Sequence, residues 1–101
     1  MIIRRKEGMN MPSTVGKWIE QNLHDEVFAE TYYQERAKIE LANTIISARK
    51  SKNLRQVDLT RITGIKQSEI SKIENAQVYP NLLTIIKIFN ALDLKIQAIP
   101  K

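Results

Sequence analysis

Gln67, Ser68, Ser71, Lys72 and Asn75 follow one another at the spacing of one side of a helix. Short amides, hydroxyls and a lysine are side chains that hydrogen-bond base edges and phosphates. Ile65, Ile70 and Ile73 fit the opposite, apolar side. Just upstream, Val57, Leu59 and Ile62 fit one face of another short helix. Between the two sets stands Gly64, the one residue there that takes a positive φ at little cost. Two short helices joined by a tight glycine turn make a helix-turn-helix, whose second helix can lie in the major groove of DNA. An ordinary solvated face has the same periodicity. The glycine hinge between paired amphipathic helices is what favours the DNA reading over residues 56–74.

The charge balance points the same way. The chain has 101 residues and a net charge of +5, which bounds it to one domain with at most an appendage. Residues 1–38 carry six basic against six acidic side chains, whereas residues 39–101 carry ten against five. The whole excess therefore sits with the helix-turn-helix, as expected of a phosphate binder. There is no cysteine, so disulfides and Cys-based metal sites are excluded, and a reducing cytoplasm is the expected location. No apolar run exceeds three residues, too few for a membrane span or a signal-peptide core.

The elements that must position these residues are mostly helical. Neither glycine nor proline occurs from Lys17 to Thr63, so that span is free to be helix. Residues 1–13 have no period and read as a loose or partner-dependent lead. A short helix is expected from Thr14 to about Leu23. Asp25 is a candidate N-cap for the next, with Phe28, Tyr32, Ile39, Ala42 and Ile46 at helical spacings. Asn53 suits the left-handed backbone that ends it. Pro80-Asn81 opens the last helix. There Leu82, Leu83, Ile85, Ile86, Ile88, Phe89 and Leu92 are dense enough to predict a central helix wrapped by the others. Leu94 to Ile99 alternates in part and reads as a short strand. A lone strand leaves its backbone unpaired, so pairing with its own copy in a homodimer is the economical solution.

Over roughly residues 39–99 the chain resembles the Xre or lambda-repressor-like helix-turn-helix family and, within it, the HigA-type antitoxins. The likeness rests on Arg49, Gln56, Leu59, Gly64, Gln67, Ile70-Ser71, Ile73-Glu74-Asn75 and Pro80. It implies that Gln56 touches phosphate, that Gln67, Ser68 and Lys72 face base edges, and that Asn75 approaches the DNA backbone. It further implies that Arg49 and Glu74 pair and lock helix to helix. Arg55 and Lys66 stand where the family usually has Ser or Thr caps. A lost cap costs about 1 kcal/mol, and a cation there opposes the helix dipole, so both are expected to serve as phosphate contacts. Thr60 replaces the usual alanine. Ala76 replaces a glycine, so the loop after the recognition helix is expected to run differently.

Trp18, Phe28, Tyr32 and Tyr33 bring four of the six aromatics into residues 1–38. Aromatics are most often core, but these exceed what the DNA-binding part needs, and a toxin-binding surface is the expectation that fits the resemblance. Lys50 and Lys52 sit where cations favour a helix C-terminus in any case. His24 has no companion at metal-ligand spacing. No nucleophile motif, cofactor fingerprint or phosphate-cradling glycine loop is present, so neither an enzyme nor a cofactor is expected.

The expected fold is all-α: a five-helix domain over 39–101 closed by a dimerisation strand, with a helical extension over 1–38. The expected function is an antitoxin that neutralises a HigB-type mRNA endonuclease and, as a dimer on double-stranded operator DNA, represses its own operon. A stand-alone Xre-type repressor of a phage or mobile element is the alternative.

Overall fold

A computed structural model describes residues 13–100; of the lead expected over residues 1–13, residues 1–12 lie outside them and Ser13 is the first residue of a helix. Five helices follow in order: α1 Ser13–Asn22, α2 Glu26–Ser51, α3 Gln56–Thr63, α4 Gln67–Glu74 and α5 Leu82–Ala91. The Asp25 carboxylate accepts from the Phe28 amide at 2.9 Å and so caps α2, as its position in the sequence suggests. The helix then runs unbroken for 26 residues, about 39 Å at 1.5 Å per residue. It crosses the boundary expected at 38/39 without interruption. Residues 39–101 thus hold the second half of α2 and three further helices, and the five helices of the described residues include α1 of the expected extension.

The core contains Leu41 and Ile45 of α2, Leu59 of α3, Ile65, Ile70 and Ile73 on and before α4, and Ile88, Phe89 and Leu92 at α5. Every member lies at or beyond Leu41. Not every apolar residue with helical spacing faces inward. Ile39 and Ile62 are exposed while Ile45 is fully buried, so the inner stripe of α2 runs along Leu41, Ala42 and Ile45. The central position expected for α5 is likewise corrected. Ile88 and Phe89 are buried, but Leu82 and Leu83 are 64% and 60% exposed and Ile86 is partly so. Its apolar density covers two faces, and only one is packed among the described residues.

Residues 94–99 form no strand among the described residues; a single bridge position falls at Gln97. A strand exists only by pairing, and this segment has no neighbouring ladder among them.

Three helices end in the same way, with crossed backbone bonds that place the next residue in the left-handed region. At α2 the Asn53 and Leu54 amides donate to Lys50 and Arg49 carbonyls; at α4 the Ala76 and Gln77 amides donate to Ile73 and Lys72. At α5, Asp93 and Leu94 do the same to Asn90 and Phe89. Asn53, Ala76 and Asp93 have φ of 57°, 56° and 55°. The loop after α4 therefore keeps the left-handed turn that glycine would take, contrary to the divergent course expected from Ala76. A Cβ in that region is unfavourable by about 1–2 kcal/mol, less the extra chain entropy that glycine loses on folding. Ala76→Gly is expected to stabilise the fold by about 0.5–1 kcal/mol. A urea midpoint that moves down instead of up would show that the alanine is not strained.

Candidate nucleic-acid interface

The hinge between α3 and α4 is Gly64, in the left-handed region at φ 76°. Ile65, Ile70 and Ile73 pin α4 to the core. That leaves Lys66, Gln67, Ser68, Lys72 and Asn75 exposed along one side, with Ser71 half-buried beside them. The Asn75 amide donates to Ser71 Oγ at 3.4 Å. The residues singled out on α4 thus share one outward face. Lys66 precedes the helix with no side-chain capping bond.

Arg55 and Gln56 are held more firmly. At the start of α3 the Asp58 carboxylate accepts from the Arg55 backbone amide at 2.8 Å, and from its guanidinium Nε and Nη2 at 3.1 Å each. The acid three residues in thus satisfies an exposed amide that the arginine itself cannot cap. Paired to the guanidinium and the amide of Arg55, the Asp58 carboxyl is held down at about 2. The Arg55 side chain remains 72% exposed. It meets Asp58 within the chain and still faces solvent at the helix start.

The lock beneath this face is a four-group network. Arg49 donates from Nε to Glu74 Oε2 at 2.8 Å and from Nη2 to Glu74 Oε1 at 2.9 Å. Its Nη1 donates to the Leu54 carbonyl at 2.9 Å, and the Gln56 amide donates to Glu74 Oε1 at 3.1 Å. One carboxylate therefore joins the end of α2, the start of α3 and the end of α4. The side chains of Arg49 and Glu74 are only 12% and 4% exposed. Such parallel fork bonds are directional as well as strong, which fixes how α3 presents its N-terminus beside α4. Gln56 is half-buried and tied to this network.

Trp18, Phe28, Tyr32 and Tyr33 form a ladder where α1 meets α2. Trp18 stands edge-on to Phe28 at 5.1 Å, Phe28 stacks on Tyr32 at 6.3 Å, and Tyr32 is edge-on to Tyr33 at 5.3 Å. Trp18 is 56% exposed, and Val15 and Val27 are also open to solvent. The other three rings are half-buried. The sequence carried no sign of a link between α2 and the loop after α4. There the Tyr79 hydroxyl donates to Glu35 Oε1 at 3.0 Å, and Lys38 lies 4.4 Å from the Tyr79 ring centre while pairing with Glu35. Lys38, then Tyr79, hold the Glu35 carboxyl below its usual range, and Glu35 raises Lys38. The i,i+3 spacing of Glu35 and Lys38 was visible; their partner 44 residues away was not.

Among the described residues no group of acidic or histidine side chains is arranged to hold a metal. No described helix is long and apolar enough to cross a membrane.

An Xre-like family model described as Helix-turn-helix matches residues 45–99, more than half of the chain. The chain belongs to that family of DNA-binding regulators, which are typically not enzymes. It is similar to an uncharacterized HTH-type transcriptional regulator of Haemophilus influenzae, at 29% identity over 94 residues that span 91% of this chain and 94% of the relative. No solved structure matches.

Proposed function

We propose that this chain is the antitoxin of a type II toxin–antitoxin pair. It binds a cognate toxin, a HigB-type mRNA endonuclease, through residues 1–38, and binds its own operator as a homodimer. The observation that carries the reading is the ladder of aromatic rings at α1 and α2, open at Trp18 and separate from the core, which begins at Leu41. An autonomous helix-turn-helix has no need of it, and exposed aromatics beside apolar neighbours are what interface anchors look like. The test is co-expression with the product of the adjacent gene followed by pull-down. Capture of a basic partner of similar size supports the proposal; no capture with a folded chain retires it.

The stand-alone repressor is favoured by one observation: the Haemophilus relative, described as a transcriptional regulator, matches over nearly the whole chain, extension included. On that reading truncating the extension changes dimerisation or DNA binding, and no neighbouring product is bound.

In either case operator binding runs through α4. Two copies set their recognition helices in successive major grooves about 34 Å apart. Leu94 lines a shallow groove with Asn43, Thr44, Ser47, Ala48 and Ser51 of α2, and Ile96 is open to solvent, which suits pairing of 94–99 with a second copy. Operator affinity is expected to fall steeply with salt as phosphate contacts release counterions. Lys72→Ala is expected to cost about 1–3 kcal/mol if it reads a base, and less if it meets phosphate. Wild-type affinity in a folded Gln67→Ala, Lys72→Ala double variant would remove α4 from the interface.

A further inference from the structure

The outward face of α4 holds one acid. Glu69 is exposed and stands one turn from Lys66 on one side and one turn from Lys72 on the other. Among the described residues it enters no ion pair or side-chain hydrogen bond, although both lysines lie at i±3 spacing. Ile70, Ile73 and Glu74 define the buried side of α4. On a helical projection Glu69 flanks Lys72 on the side away from Ser71, at the edge of the exposed face next to the buried Ile73. A carboxylate so placed is repelled by phosphates and weakens nonspecific binding. An acidic side chain in the first turn does favour the helix dipole, but that benefit is available to an acid of no further use.

We infer that Glu69 is a specificity-determining residue of this interface, selecting a cytosine on the strand facing α4. The inference rests on the DNA-binding reading above. A carboxylate is acceptor-only. In the major groove guanine presents two acceptors, thymine an acceptor and a methyl, and adenine an acceptor beside its donor. Cytosine presents a donor alone, its N4 amino group. Glu69 therefore accepts from cytosine and is repelled by guanine at the same position. Lys72, one turn along, has the opposite requirement and suits the O6 and N7 acceptors of guanine. The two side chains together favour a G·C-containing step and discriminate against its A·T replacement.

The experiment is enrichment of a randomised duplex library by the full-length protein, for wild type, Glu69→Gln and Glu69→Ala, followed by titration of duplexes differing at one base pair. Wild type is expected to enrich cytosine at one position. Glu69→Ala is expected to lose that preference by about tenfold or more, with the other positions unchanged. Glu69→Gln, which keeps the length but adds a donor, should shift the preference toward adenine and bind random duplex more tightly. An unchanged preference at every position in both variants, with DNA still bound, overturns the inference and leaves Glu69 a helix-dipole residue. Enrichment of no sequence by the wild type overturns the DNA reading itself. A thermal melt of each variant separates loss of base preference from loss of fold.

Discussion

Glu74→Ala and Arg49→Ala are each expected to destabilise the fold by about 3–5 kcal/mol, because each strands a partner away from water. The burial of the pair is what sets this scale, since an exposed ion pair contributes about 1 kcal/mol or less. Removing Glu74 orphans the Arg49 fork and the Gln56 amide together. Removing Arg49 leaves a carboxylate that is almost wholly enclosed, and takes the donor from the Leu54 carbonyl as well. In a domain of this size such a loss lowers the melting temperature by more than about 12 °C. The double variant Arg49→Met, Glu74→Leu is expected to cost less than either single change, because no charge is then left unpaired. Thermal melts of the four proteins form the cycle. Additive single effects would show that the two groups do not interact across the helices. The singles are also expected to weaken operator binding beyond what unfolding explains, since Glu74 ties the start of α3 to the end of α4.

This lock was legible in the sequence only through its resemblance to a family. Periodicity places Arg49 near the end of one helix and Glu74 near the end of another, and says nothing of their meeting. The hinge, by contrast, was legible from physics alone, because a short apolar-periodic pair around Gly64 leaves few other folds for residues 56–74. Asp25 and Asn53 were equally readable, since capping and left-handed turns are local chemistry. Reading failed wherever a position is decided by a distant surface. Ile62 and Leu82 have the spacing of buried residues but stand exposed. The fork between Arg55 and Asp58 is local instead, and an acid at the third position of a helix is the capping pattern that signals it; it leaves the Arg55 side chain exposed at the helix start, where a phosphate contact is expected. The strand expected at 94–99 rests on alternation, a pattern that specifies a side-chain period and not a partner.

On the proposed antitoxin function, Trp18→Ala is expected to weaken toxin binding by about 2 kcal/mol or more, roughly thirtyfold, while leaving operator affinity unchanged. Trp18 is the most exposed of the four rings in the ladder and stands edge-on to Phe28. A large ring with only two side-chain torsions loses little freedom on binding. Phe28→Ala and Tyr32→Ala are expected to act in the same direction, but each also loosens the packing of α1 on α2, so Trp18 is the cleaner probe. A chain beginning at Lys38 carries the comparison to its limit. It keeps every core residue from Leu41 onward and the Arg49–Glu74 lock. It loses the Asp25 cap and the Glu35–Tyr79 bond, so the new start of α2 frays while the helix-turn-helix stays folded. That chain is expected to bind operator DNA and to fail to rescue growth from the co-expressed toxin. Calorimetry of the toxin with the Trp18 variant and a growth assay with the shortened chain read the two ends of one argument. Rescue by the shortened chain would move the toxin-binding surface into residues 39–101, where the exposed Leu82, Leu83 and Ile86 of α5 are the first place to substitute.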